Sequence, residues 1–306
     1  MCQYRLPDLL SYPEKAIIVA DNEMFIRGLC ELGLEASLLG SLEQLPAHSL
    51  GFSFSSQGAR QFYQRAARTG HKQTLLCPLH VFEPSLENAL YSLMLLLRSN
   101  FADCLQRQQD ALRLLSGQQR LRLSSASSRA EVWLDHHSTP YAMTRDEIGS
   151  NFVLSVTELF EVHYAHMNPD GPDLFQVSGV LHVSGLLMSR GSRAQSLPHE
   201  LVVDMQALAA NVACHDAWLQ VERNRVLSLK VAGREYVDLL RRAAGKRGLL
   251  LSEFAIGVND AIGPNINYSH NSPMNEGIRG VHVAIGDGAS GYHIDFLSPG
   301  VEVLPL

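Results

Sequence analysis

The stretch that most constrains the fold lies near the start of the chain, at residues 16–38. An apolar run, AIIVA, precedes Asp21 and Asn22, two residue types that favour the N-cap of a helix. Residues 23–32 then show helical spacing of apolar side chains and stop at Gly33, after which LEASLLG has strand character. Strand, capped helix, glycine and strand in this order predict a βαβ unit, and therefore an α/β fold class.

The rest of the first half extends this α/β pattern. Residues 73–77 predict a third strand, and residues 85–116 predict one bent helix or two. The stretch 117–129 is rich in Gln, Ser and Arg, and we interpret it as the approach to a domain boundary. The sequence thus predicts an N-terminal α/β domain at 1–128 and a C-terminal domain at 129–306.

The second half mixes strands and helices, so we expect an α+β arrangement there. Residues 176–187 alternate and carry glycines, which predicts a β-hairpin. A second hairpin is predicted at 217–231 and a helix at 233–244. Further strands are predicted at 254–258, 281–285 and 293–297.

Composition excludes several classes of protein. The 306 residues are 46% hydrophobic and 18% charged, with a net charge of −6 and no run rich in Lys or Arg, so we expect no nucleic-acid partner. The longest apolar run, residues 90–97, is too short to cross a membrane, and the N-terminus lacks a secretory signal pattern. Five cysteines without a CxxC pair are typical of free thiols in a reducing cytoplasm.

The C-terminal stretch carries the chemistry-bearing residues. Glu253 and His282 each lie in an apolar, strand-like run, and His293 and Asp295 form an H-x-D pair on a third run. Residues two apart on a strand point to one face, so this pair can present an imidazole and a carboxylate side by side. Such a nitrogen and oxygen set suits zinc, manganese, cobalt or ferrous iron. From the residues alone, a metal site and a structural polar cluster both remain open.

Three short motifs resemble a known family. EFAIGVN, GVHVAIG and HIDF resemble the C-terminal half of the aminopeptidase T family of metallopeptidases, to which the 2,5-dihydroxypyridine dioxygenases are related. The resemblance covers residues 165–306. It implies an aminopeptidase T-type C-terminal domain, with Glu253, His282, His293 and Asp295 as metal ligands. It also implies one or two divalent ions, and a homodimer.

The chain departs from that family at two positions. The segment NPDGPDLF places Asp173 where the family has its first ligand, a glutamate, so the resemblance implies Asp173 as the ligand of a second ion. Its side chain is one methylene shorter than that of glutamate, so a two-ion site could be reduced to one ion or lost. Ala289 stands at the spacing of the family's catalytic tyrosine, and Tyr292 is the nearest tyrosine.

Three functions follow from the resemblance. The first is a metal-dependent hydrolase of a peptide or small amide, in which Glu253 is also the general base and Tyr292 stabilises the oxyanion. The second is a ring-cleaving dioxygenase with a single iron. The third is a metal-free, non-catalytic protein that binds a precursor peptide and presents it to other enzymes in natural-product biosynthesis.

Other polar residues are weaker candidates. Asp135, His136 and His137 end a predicted strand and could line a cleft or form a solvated turn. His163 and His166 could contact a substrate or be ordinary surface histidines, and His270 lies in a polar loop.

Overall fold

The computed structural model of the chain describes residues 16–70, 72–143, 152–166, 174–191 and 196–306. These residues form three sheets and confirm the α/β class. The first sheet is parallel, with strand order β2-β1-β3-β4-β7. Its strands are β1 (Ile17–Ala20), β2 (Ala36–Leu38), β3 (His48–Phe52), β4 (Gln73–Cys77) and β7 (Phe152–Ser155). Helices α1 (Glu23–Glu31), α2 (Ser56–Ala66), α3 (Leu86–Arg98) and α4 (Phe101–Gly117) accompany it.

The predicted βαβ unit forms at the start of this sheet. The side chain of Asn22 accepts a hydrogen bond from the Phe25 N–H and so caps α1. Asp21 has a different role, because its carboxylate accepts hydrogen bonds from the backbone N–H groups of Phe54 and Ser55. It thereby joins the carboxyl ends of β1 and β3. These two strands are neighbours at the point where the strand order changes direction.

The second sheet is antiparallel and has seven strands, in the order β13-β12-β11-β9-β6-β5-β17. Along β6 and β11, every second residue is buried and the others are exposed, so one face of the sheet packs on the core. The strands are β5 (Arg120–Ser124), β6 (Arg129–Leu134), β9 (Phe175–Val183), β11 (Ala217–Glu222), β12 (Arg225–Val231), β13 (Arg234–Glu235) and β17 (Glu302–Pro305).

The third sheet is antiparallel, with strand order β10-β16-β15-β14-β8. Nearly all residues of β15 and β16 are buried, so both faces of this sheet are covered. Its strands are β8 (Glu161–Ala165), β10 (Gly185–Ser189), β14 (Leu251–Gly257), β15 (Gly280–Ile285) and β16 (His293–Pro299). Three further helices of the described residues are α5 (Val156–Phe160), α6 (His199–Cys214) and α7 (Val237–Ala243).

Two local predictions are wrong. Residues 176–187 are not a hairpin, because β9 and β10 belong to different sheets and the chain changes sheet at Ser184, whose N–H donates to Leu297. The helix predicted at 233–244 begins only at Val237. The carboxylate of Glu235 accepts hydrogen bonds from the N–H groups of Tyr236 and Val237, which holds the preceding residues in a turn.

The strands on the two sides of residue 128, the predicted domain boundary, do not separate into different sheets. β5 precedes this position but pairs with β6 and β17, whereas β7 follows it and pairs with β4. The stretch 117–129, interpreted as the approach to a domain boundary, contains the strand β5. Within the residues that the structure describes, no helix is long and apolar enough to cross a membrane.

Candidate functional site

The polar residues of the C-terminal motifs lie on one face of the third sheet, β10-β16-β15-β14-β8. Glu253 is on β14, His282 on β15, and His293 and Asp295 on β16. The register places Asp295 opposite Ala284, and Ala284 opposite Glu253. β8 adds Glu161 and His163 to the same face, since their side-chain atoms lie within ligand distance of Glu253.

Alanines separate the polar side chains across this face. One row across the strands reads Asp295, Ala284, Glu253 and Ala165, and the next reads His282, Ala255 and His163. Because an alanine side chain ends at Cβ, the longer His, Glu and Asp side chains can converge above it. The register therefore builds one compact cluster from residues that are far apart in the sequence.

The carboxyl groups and imidazoles of the cluster meet at ion-pair distance. His282 Nε2 lies 3.4 Å from Glu161 Oε2 and 3.4 Å from Glu253 Oε1. His293 Nε2 lies 3.5 Å from Glu253 Oε2 and 3.1 Å from Asp295 Oδ1, and His163 Nδ1 lies 3.2 Å from Glu161 Oε1. The side chains of His282, Asp295 and Glu161 are no more than 5% exposed. This alternation of acids and histidines compensates charge inside the protein.

Four buried side-chain atoms of the cluster make no hydrogen bond within the described residues. They are Glu161 Oε2, His163 Nδ1, His282 Nε2 and Asp295 Oδ2. Two sets of ligand-type atoms lie within 4.8 Å of one another: Glu253 with His282 and Asp295, and Glu161 with His163 and Glu253. Histidine nitrogens and carboxylate oxygens suit a divalent metal ion, so the residues present fit such an ion.

Electrostatic coupling shifts the protonation of the cluster strongly. Burial alone would lower the pKa of His163 and His293, but Glu161 in the first case and Asp295 in the second raise each pKa to about 9. His282 has a pKa well above its usual range, because Glu161 and Glu253 outweigh its burial. Burial opposes ionisation of Glu161, yet His163 and His282 lower its pKa to about 2. At neutral pH the three histidines are therefore cations.

Glu276 is a further carboxyl group at the cluster. It lies on the short turn of 3-10 helix Pro273–Gly277 and is 9% exposed. Burial and the negative charges of Asp295 and Glu161 raise its pKa well above the usual range. This shift favours the protonated form of Glu276, which can donate a proton in a hydrogen bond.

A cavity of about 330 Å³ opens above one side of the cluster. Glu253 and His293 form part of its lining, together with His166. Arg190 and Arg247 also line it, so the cavity presents cationic guanidinium groups beside the acidic and imidazole side chains.

A larger cavity of about 650 Å³ adjoins the first and shares Val81 and Arg190 with it. Its wall on α6 contains Ala209, Ala210 and Ala213. The lining also includes Leu186, Met188, Tyr268 and Tyr292. His80, another lining residue, follows β4 at the carboxyl end of the parallel sheet.

The structure brings four of the predicted site residues together and places Tyr292 elsewhere. Glu253, His282, His293 and Asp295 come together in the cluster, whereas Asp173 lies outside the described residues. Tyr292 lines the larger cavity, with the Arg190 guanidinium 5.6 Å from the centre of its ring. Its role in catalysis stays a prediction.

The weaker candidates also separate. His163 belongs to the cluster and His166 lines the smaller cavity. Asp135 lies 3.3 Å from His136 in the turn after β6, and His136 contacts the ring of His137. His270 stacks on Tyr91 with the ring centres 4.5 Å apart.

Sequence reasoning missed Glu161 and Glu276 as members of the cluster. Glu161 is on β8, which lies beside β14 although about ninety residues separate the two strands in sequence. The pattern E-V-H in β8 does offer a signal, because its acid and histidine share one strand face, as in the H-x-D pair.

The fold and the site define an α/β protein with a buried centre of histidines and carboxyl groups beside an open cleft. The chain belongs to the CgnE/B family of crocagin biosynthetic proteins, which matches residues 13–305. No curated protein matches the chain.

Two solved structures are similar over most of the chain. Wild-type AmpT from Thermus thermophilus has a TM-score of 0.47 and 15% sequence identity, and the match covers 97% of this chain and 92% of that chain. The 2,5-dihydroxypyridine dioxygenase from Pseudomonas putida KT2440 has a TM-score of 0.48 and 12% identity, covering 94% of this chain and 87% of that chain.

Proposed function

We propose that this protein binds a precursor peptide in natural-product biosynthesis and presents it to other enzymes. The observation that carries the proposal is the continuous cleft in which the larger cavity meets the cavity above the cluster at Val81 and Arg190. Membership of a crocagin biosynthetic family supports the biosynthetic setting.

The lining of this cleft suits a peptide. The larger cavity offers apolar side chains, whereas the smaller one offers guanidinium, imidazole and carboxyl groups. A peptide has both requirements, since its side chains need apolar surface and its amides need hydrogen-bond partners. The cleft also lies at the carboxyl end of β4 in the parallel sheet, where α/β proteins bind ligands.

The cluster can serve as a structural wall of the cleft without turnover. Three histidines and three carboxyl groups pair with one another, and the raised pKa of Glu276 favours its neutral form, so the centre is electrostatically compensated by its own residues. Such a network fixes the positions of the strands that line the smaller cavity.

A cleft-filling variant tests the proposal. Peptides selected from a displayed library of random decapeptides are labelled, and their Kd is measured by fluorescence anisotropy. Ala210→Phe adds a ring to the wall of the larger cavity, and we expect it to weaken binding at least tenfold.

The matched control is Ala207→Phe, which adds the same ring on the same helix at an exposed residue outside the cavity lining. We expect its affinity to equal that of the wild type. If no peptide is enriched, or if both variants bind equally well, the peptide-binding proposal fails.

A second candidate function is a metal-dependent enzyme, and the two sets of converging ligand atoms favour it. Glu253, His282 and Asp295 would hold one ion, with His293 beside them, and Glu161 with His163 would hold another. A bound ion would polarise a carbonyl group and lower the pKa of a water molecule. Because the histidines are protonated in the free cluster, uptake of a metal would release protons.

Elemental mass spectrometry of protein purified without a chelator tests this candidate. We expect about one or two equivalents of zinc, manganese, cobalt or iron in the wild type, and a loss of metal in His293→Ala. His270→Ala is the control, because this histidine stacks on Tyr91 instead. Zinc would favour hydrolysis, and iron would favour oxygen chemistry. If the wild-type protein contains no metal, even after metal is added, the metal-dependent enzyme is ruled out as a candidate function.

A further inference from the structure

A basin of about 680 Å³ lies on the outer face of the second sheet, over β5, β6 and β9. Its lining includes five residues that alternate with inward-facing residues along these strands and therefore point away from the core: Arg122, Ser124, Arg129, Glu131 and Ser178. The basin shares no lining residue with the cleft, so it is a separate surface of the protein.

The two arginines of the basin carry positive charge without a partner. The Glu131 carboxylate lies 3.0 Å from Arg120 Nη2, so this acid is already paired. Within the residues that the structure describes, neither Arg122 nor Arg129 forms an ion pair or a side-chain hydrogen bond. Guanidinium groups in this condition are suited to binding an anion from outside the protein.

The neighbouring strands do not cancel this charge. Glu302 of β17 lies opposite Ser124, and Ser124 lies opposite Arg129, so two strand spacings, about 10 Å, separate the acid from this arginine. The outward residues of β9 beside β6 are uncharged: Gln176, Ser178 and Val180. At least one positive charge therefore remains uncompensated here, on a protein whose net charge is −6.

The spacing of the two arginines suits more than one anionic group. Arg122 lies opposite Glu131, which is two residues from Arg129, so the arginines are diagonal neighbours. Such a diagonal separates the Cβ atoms by about 7–8 Å, and each guanidinium can therefore hold its own phosphate group. Ser124, opposite Arg129, makes no side-chain hydrogen bond within the described part of the chain, so its hydroxyl can donate to an anion as well.

Trp133 offers an aromatic surface beside the arginines. It lies on β6, two residues from Glu131 and on the same face, which places it about 7 Å along the strand from the row that contains Arg122. Trp133 is 42% exposed, and its ring stacks on no other ring of the described residues. A planar base can therefore stack on this indole.

We propose that the basin binds a nucleoside di- or triphosphate. The base stacks on Trp133, and Arg122 and Arg129 hold the phosphates. A nucleotide combines a planar ring with a short chain of anionic groups, and these are the two features that the surface recognises. The occupant is a free nucleotide, because a long polyanionic strand is repelled by the net charge of −6. This site goes beyond the proposed function and does not depend on it.

Tryptophan fluorescence tests the stacking directly, because Trp133 and Trp218 are the chain's two tryptophans. Trp218 lies on β11, outside the basin, with its ring against His182. In Trp218→Phe, the only indole is Trp133, and we expect ATP in magnesium-free buffer to quench its emission in a saturable way. In Trp133→Phe, the remaining indole should not be quenched, and this variant also controls for light absorbed by ATP.

Calorimetry measures the contribution of each contact to the Kd for ATP. Arg122→Gln and Arg129→Gln should each raise the Kd about fivefold, and Trp133→Leu should raise it at least fivefold. Arg241→Gln is the matched control, since this exposed arginine on α7 is outside the basin and its loss changes the net charge equally. It should bind ATP like the wild type.

Three further ligands define the chemistry of the site. AMP, with one phosphate for two arginines, should bind several times more weakly than ATP, and tripolyphosphate should lose the contribution of the base. Octathymidylate, a single strand, should bind no more tightly than ATP. Ala210→Phe, in the cleft, should leave the Kd for ATP unchanged, so a failure of cleft binding and a failure of nucleotide binding are observed separately.

The proposal is overturned if ATP does not quench Trp133, or if it quenches both tryptophans equally. It is also overturned if Arg129→Gln and Arg241→Gln bind ATP equally, or if AMP or tripolyphosphate binds as tightly as ATP. Tighter binding of octathymidylate would make the occupant a nucleic-acid strand and would likewise overturn the assignment to a free nucleotide.

Discussion

The two faces of the third sheet, β10-β16-β15-β14-β8, differ in polarity: one carries the polar cluster and the other is apolar. On β16, His293 and Asp295 point into the polar cluster, whereas Ile294 and Phe296 lie on the other face and are completely buried. Tyr292, just before the strand, lines the larger cavity. Strand alternation alone separates these environments, over a distance of one residue.

This difference teaches that the two faces stabilise the protein by different means. The apolar face gains free energy from burial, which does not depend on protonation. The polar face depends on matched charges, because a buried ion that loses its partner is costly. The faces should therefore respond alike to side-chain truncation at neutral pH and differently to a change of pH.

The largest effects should come from truncating one central side chain on each face. Phe296→Ala leaves a cavity and should lower the free energy of unfolding by about 3–5 kcal/mol. His282→Ala leaves Glu161 and Glu253 without their shared partner and should cost a similar amount, about 3–5 kcal/mol. Urea denaturation at pH 7 measures both values.

The same two variants distinguish the faces when the pH is lowered. The cost of His282→Ala should shrink as the pH falls below the usual range of a carboxyl group, because protonated acids need no cation. The cost of Phe296→Ala should stay constant. An equal response of both variants would show that the polar face is not held by charge.

The wild-type protein should lose stability as the pH rises above 6.5. His163 and His293 have pKa values raised from 6.5 to about 9, so their stabilisation is complete below pH 6.5 and is lost as the pH rises through 9. Each histidine contributes on the order of 3 kcal/mol. The pKa of Glu161 is lowered from 4.5 to about 2, so its contribution is present above pH 4.5 and is lost as the pH falls through 2.

Urea denaturation from pH 4 to pH 9 checks this profile, with maximal stability expected between about 4.5 and 6.5. His293→Ala should make the decline between pH 6.5 and 9 less steep, because one of the three histidines with a raised pKa is then absent. Phe296→Ala should shift the whole curve downward and keep its shape. A wild-type curve that is flat across this range would contradict the protonation states assigned to the cluster.

The sequence predicts most of the strands because their apolar runs and capping residues are local signals. β1, α1, β4 and the strands that carry Glu253, His282 and His293 form where they were expected. The pairing of β9 with β10 was predicted wrongly, since alternation over residues 176–187 indicates strands but does not reveal that the chain changes sheet at Ser184.

The site was also predicted only in part, because local patterns reveal some of its residues and long-range contacts bring in the others. The H-x-D pair is visible because its residues are two apart on one strand. Glu161 joins the cluster only through the register of β8 with β14, and Glu276 joins it through a turn that packs under the sheet. Both contacts are long-range. The E-V-H pattern marks Glu161 and His163 as sharing one strand face, but it does not show that β8 lies beside β14.

Two buried glutamates should respond differently to the loss of charge. The pKa of Glu276 is raised well above its usual range, which favours the neutral form, so Glu276→Gln should change the free energy of unfolding by less than about 1 kcal/mol. Glu161 is ionised and contacts two protonated histidines, so Glu161→Gln should cost several times more. Thermal unfolding at pH 7 compares the pair, and an equal loss in both variants would mean that Glu276 is ionised as well.

The smallest effect on the cluster is expected from Tyr292→Phe, because this ring lies in the other cavity. The Tyr292 hydroxyl is near Arg190, and burial raises its pKa, so its loss removes one polar contact and costs about 1 kcal/mol or less. The pH profile of stability should keep its shape, whereas the affinity for a cleft-binding peptide should fall by about threefold. Anisotropy and urea denaturation on one variant measure both quantities. If the pH profile changes and peptide affinity does not, Tyr292 acts on the cluster, and the separation of the two faces is incomplete at this residue.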